Sequence, residues 1–153
     1  MYSVVLFTHS WLRYLLLGFG IALLVVCIRD RRRTHWTDKH ERLHVLFLAV
    51  LDVQLLLGLL LYFKLSPYSQ AALANMGAAM KEPTLRFFGV EHITTMLVAV
   101  VVAHVGRVRS KRKHGAAHFR SALVTQCVWL LLTLAAIPWP GLDIARPLFR
   151  TAF

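Results

Sequence analysis

Acidic residues are scarce in this chain: Asp and Glu number 7 against 18 Lys and Arg, for a net charge of +11. Such an excess can mark a nucleic-acid binder, but the basic residues here are distributed by connection rather than gathered on one face among aromatics, which argues against that class of partner. Cysteine is almost missing. The two that occur, Cys27 and Cys127, fall within or at the ends of apolar runs, so a disulfide framework is excluded. No phosphate-binding glycine loop, dinucleotide fingerprint, nucleophile elbow or paired metallohydrolase histidines is found, so independent hydrolytic or phosphoryl-transfer chemistry is not expected.

What the chain does have is apolar length. Fully 58% of its 153 residues are hydrophobic, which leaves too few polar residues to clothe a soluble domain of this size. A bilayer core about 30 Å thick takes ~20 mostly apolar residues per helical span. Four such runs occur, at about 4–28, 43–63, 87–106 and 121–139. The first has no basic leader and runs straight into Arg29, Arg31, Arg32 and Arg33, so it is expected as a retained helix rather than a signal peptide. The prediction is a single all-α membrane domain, an up-down-up-down bundle of four helices in contact with membrane lipid.

Six Lys/Arg lie in each of the stretches 29–42 and 107–120, whereas the opposite side carries Lys64, Lys81, Arg86, Arg146 and Arg150. The positive-inside rule then places the two basic stretches in the cytoplasm and both termini outside, in a bacterial inner membrane on the periplasmic face. The outer loop 64–86 holds an Ala-rich stretch that suggests a short surface helix. Pro138, Trp139 and Pro140 are expected to end the fourth helix, and 140–153 to form an outer tail on the headgroups or against a partner.

Ionisable groups inside hydrocarbon are expensive and mark function. Here they are His9, Arg13, Asp52, Glu91, His92 and His104, with Gln54 nearby. His9 and His92 each stand about five residues inward from the outer ends of helices one and three, so at ~1.5 Å per residue they share a depth. Helices one and three of an up-down bundle are diagonal, and two facing imidazoles suit the axial positions of a haem iron. Arg13 and Gly20 fall on the His9 stripe, Gly20 suiting either close helix packing or close approach of a flat macrocycle. His104 with His44 is a candidate for a second, inner haem. Arg13 and Asp52, near mid-membrane, are expected to pair; otherwise Arg13 would meet a haem propionate or a quinone, with Glu91 or Asp52 as proton acceptor. His35, His40, His114 and His118 are expected as solvated loop residues.

The segments His9-Ser-Trp-Leu-Arg-Tyr14, Gln54 to Gly58, Leu61-Tyr-Phe63, Arg86 to His92 and Ala136-Ile-Pro-Trp-Pro140 together resemble a family of small four-helix bacterial membrane proteins labelled cytochrome B. The resemblance spans nearly the full length. It implies haem b, electron transfer and work as a subunit or partner of a respiratory or photosynthetic complex. One position departs: relatives tend to carry histidine in helix two where this chain has Asp52, so a haem could be lost there while His9 and His92 persist. The alternative function is a haem-free accessory subunit. A third, a proton or ion conduit, lacks the broken helices of transporters.

Overall fold

A computed structural model describes residues 1–140 together with Ile144, Pro147 and Phe149. Among these the chain is helical throughout: α1 (Tyr2–Arg29), α2 (Asp38–Leu60), α3 (Pro67–Ala74), α4 (Met76–Ala79), α5 (Pro83–Arg86), α6 (His92–Lys111) and α7 (Ala116–Ala135). Two single π-turns, Leu61–Leu65 and Phe87–Glu91, continue α2 outward and join α5 to α6. Four continuous spans result, of 28, 28, 29 and 20 residues. At ~1.5 Å per residue even the shortest crosses about 30 Å of hydrocarbon. The protein is a multi-pass membrane protein built as an all-α four-helix bundle.

Helix α1 packs against α2 and α7, and α6 against α7 and, least extensively of these pairs, α2. Helices α1 and α6 are therefore diagonal. The core joins Leu16, Leu23 and Cys27 of α1, Phe47 and Leu51 of α2, Ala99 and Ala103 of α6, and Ala122 and Trp129 of α7. Close approach is set by glycine. A Cβ on Gly20 would overlap the Trp129 ring, and Gln126 Nε2 donates to the Gly20 carbonyl at 3.1 Å. Of the two roles open to Gly20, packing is the one the structure gives it.

Helices α2 and α7 begin earlier than their apolar runs, because their first turns are polar and stand at the end of the bundle that carries both basic connections, called inner, the opposite end being outer. A capping box formed by Thr37 and His40 starts α2. The connections shrink to 30–37 and 112–115 at one end of the bundle, where Trp36 of the first stacks on His118 of α7 at 4.1 Å. His40 and His118 are consequently buried helix residues and not solvated loop residues. At the outer end α7 stops at Ala135 rather than Trp139, since Pro138 disfavours a helical residue before it. The outer connection holds three short helices instead of one. Its α3 lies so close to the second π-turn that a Cβ on Gly89 would collide with Ala72. Most of the tail 140–153 is outside the described residues; Phe149 stacks on Tyr14 at 5.3 Å and Pro147 reaches the cavity described next.

Candidate functional site: a cavity in the outer half

Between α1, α2, α6 and the end of α7, beneath the outer helices, lies a cavity of about 150 Å³ with an open mouth. Ligand sites of roughly 300–1000 Å³ are typical, so a large flat ligand enters only if the walls move apart. Its walls are mostly apolar, with Leu16, Leu51, Leu55, Ile93, Met96 and Val100 among them. His9, Arg13 and His92 all line it, and among the described residues no Asp or Glu does.

Both predicted ligand histidines thus reach one space from diagonal helices. His92 Nδ1 lies 2.8 Å from the Ala136 carbonyl. A carbonyl can only accept, so Nδ1 carries the proton and the neutral ring keeps its lone pair on Nε2. This arrangement, with the far nitrogen anchored to a backbone carbonyl, is how metal-ligating histidines are oriented. The early stop of α7 supplies that carbonyl. On α1, Gln54 Nε2 donates to the His9 backbone carbonyl at 3.1 Å and lies 3.3 Å from His9 Nε2. The carbonyl fixes which end of the amide is nitrogen, so His9 Nε2 accepts and Nδ1 bears the proton. Gly58 stands against this ring, where a Cβ would come within 3.3 Å of Cε1.

Six buried side-chain polar atoms among the described residues have no hydrogen-bond partner, and three belong to cavity residues: His9 Nδ1, Gln54 Oε1 and Thr133 Oγ1. Buried polar groups are normally satisfied, so three around one space point to a polar ligand. The donor set fits a haem: two imidazoles from diagonal helices, a cation for a propionate and apolar walls. Two adjustments are required: the walls must part to admit the macrocycle, and Gln54 must release His9 Nε2, across a contact already longer than the usual 2.7–3.2 Å.

Other expectations are corrected. Arg13 and Asp52 do not pair: Arg13 donates to the Tyr14 hydroxyl at 3.1 Å, while Asp52 meets His104 Nε2 at 2.8 Å on the bundle's outside. The residues match in depth but not in direction. With His104 engaged there, it is not paired with His44, which lies buried near Trp36. Glu91 binds Arg86 at 2.7 Å on the exposed outer surface, and neither Glu91 nor Asp52 lines the cavity.

Sequence reasoning missed the inner polar cluster. Asp30 is buried between Arg29, Arg33 and His40, with the His40 Nε2 contact at 2.8 Å. The hydrogen bond from Arg29, followed by that from His40, holds its carboxyl well below the usual carboxylate range. Glu41 takes a bidentate contact from Arg107 and a third from Lys111 at 3.0 Å. The Thr-x-x-His spacing at 37–40 and a Trp inside a basic stretch were the available signals.

Fold and cavity together define a class: a four-helix membrane-spanning bundle with a cavity lined by histidines of two diagonal helices in its outer half. Beyond that class, no family model, curated protein or solved structure matches the chain.

Proposed function

We propose that the chain is a membrane-embedded electron carrier of the b-cytochrome type, with one haem b held in the outer cavity by His9 and His92. The observation that carries this reading is the pair itself: two imidazoles from diagonal helices lining one cavity, one anchored through Nδ1 so that its Nε2 lone pair is free. His92 offers Nε2 with its ring fixed by Ala136. His9 offers Nε2 once the Gln54 amide lets go, an exchange eased because Gln54 keeps its bond to the His9 carbonyl. Arg13 offsets propionate charge, and the leucine and valine walls exclude water. Haem held there would supply one-electron exchange at its iron.

In this reading the protein serves as a subunit or partner of a respiratory or photosynthetic complex in a bacterial inner membrane. The gathering of both basic connections at one end supports a cytoplasmic placement of that end, with both termini periplasmic. A second reading, a quinone headgroup in the same cavity, is favoured by the unpartnered atoms. His9 Nδ1 would donate to a quinone carbonyl and Gln54 Oε1 would accept from a quinol hydroxyl.

The visible spectrum of detergent-purified protein from haem-replete cells is the test. A sharp reduced α-band of haem b is expected, lost in His9→Ala and in His92→Ala and kept in His104→Ala. A wild-type spectrum without that band overturns the haem reading and leaves a quinone site or a haem-free accessory subunit.

A further inference from the structure

We propose that the face formed by α2 and α6 is the contact surface of a parallel homodimer within the membrane, joined through Asp52 and His104. The two side chains meet at 2.8 Å through Asp52 Oδ1 and His104 Nε2, yet they remain 50% and 43% exposed on the outside of the bundle. Asp52 stands near the middle of the span Asp38–Leu65, so what surrounds its carboxyl in the membrane is hydrocarbon, while His104 reaches it from nearer the basic end of the span Pro83–Lys111. Outward-facing residues on either side are apolar: Val45, Val53 and Leu56 on α2, and Val101, Val105 and Val108 on α6.

The pair is half satisfied. Oδ2 of Asp52 and Nδ1 of His104 have no partner among the described residues, and acyl chains offer none. Hydrocarbon disfavours a net charge, so the pair keeps one proton between its members and is an ion pair or a neutral acid with a neutral imidazole. As an ion pair, Nδ1–H is a spare donor and Oδ2 a spare acceptor. As a neutral pair with the proton on Oδ2, the acid becomes the donor and Nδ1 the acceptor. Either way one donor and one acceptor remain.

A second copy meets that demand without further requirement. Copies inserted in the same orientation are related by a two-fold axis along the membrane normal, so equivalent residues lie at equal depth. Asp52 of one copy then faces His104 of the other, and the reverse, and both spare groups are used. An unrelated subunit would need its own donor and acceptor at the same level and spacing. The limited contact between α2 and α6 leaves the seam between them open to an approaching helix face. This inference does not depend on what the cavity holds.

Disulfide trapping in native membranes tests it, in a Cys127→Ser background that removes the exposed native thiol. Val101→Cys, beside the pair, should give a crosslinked species of twice the chain mass on mild oxidation, and Leu131→Cys, exposed on α7, should not. Adding Asp52→Leu with His104→Leu should lower the Val101→Cys yield about tenfold, the range set by two interhelical hydrogen bonds. Absence of the Val101→Cys dimer, its capture of a different protein, equal trapping from Leu131→Cys, or a yield unchanged by the double leucine variant would each overturn the proposal.

Discussion

Among the described residues, the inner layers of the bundle and its outer half contain the same number of unpartnered buried polar atoms, three each, yet they face opposite surroundings. In the inner layers they are His44 Nδ1, His118 Nε2 and Trp129 Nε1, all sealed among rings: His118 is stacked on Trp36, His44 lies between Trp36 and Phe47, and Trp129 meets Phe47 edge-on at 4.7 Å. In the outer half they are His9 Nδ1, Gln54 Oε1 and Thr133 Oγ1, beside open space. An unsatisfied atom is a cue to binding only where there is room for a partner. Packing accounts for the first set, and the second has room for a ligand.

The largest effect expected from this contrast is on stability. Trp129→Ala, in the closed core, should cost on the order of 3–5 kcal/mol, whereas Met96→Ala, on the cavity wall, should cost less than about 2 kcal/mol because one side of that chain already lacks neighbours. Denaturation in detergent measures both, and equal losses would erase the distinction between the two regions.

A smaller effect separates them by pH. The Asp30 carboxyl is held below its ordinary range, so its contribution to stability is fully present above the unfolded value of about 3.9 and is lost as pH falls through the depressed folded value. Thermal stability should therefore show an acid limb below about pH 4 that Asp30→Asn weakens. Ligand occupancy of the outer cavity, which no carboxylate among the described residues lines, should not share the part of that limb that Asp30→Asn removes.

The smallest change concerns Thr133. Replacing its hydroxyl by a methyl group removes an atom that bonds nothing among the described residues, so Thr133→Val should shift folding stability by no more than about 0.5 kcal/mol. Binding in the outer cavity should weaken instead. A large loss of stability would show that the hydroxyl has a structural partner and would remove one of the three cavity cues.

The four spans were legible because bilayer thickness imposes a run length that composition reveals directly. Depth was legible too, since counting residues from a helix end places His9 level with His92. Direction around each helix was not. A membrane helix is apolar on nearly every side, so the stripe that betrays orientation in soluble helices is missing. That is why Arg13 and Asp52 were matched in height but face apart, and why Asp52 finds His104. The burial of His40 and His118 was hidden for a different reason: a polar first turn at the interface reads as loop until its cap is recognised.

The two π-turns have a consequence for ancestry. Each accommodates one residue more than a regular helical turn, and Tyr62 of the first donates to the Gly89 carbonyl of the second at 2.8 Å, so the pair stands at a common level above the histidines. A one-residue insertion into an unbroken helix would rotate everything beyond it by about 100°, and a π-turn absorbs that rotation locally. In alignments with relatives that lack the turns, single-residue gaps should therefore open at 61–65 and 87–91, inside the spans, rather than in the connections where gaps are ordinarily placed.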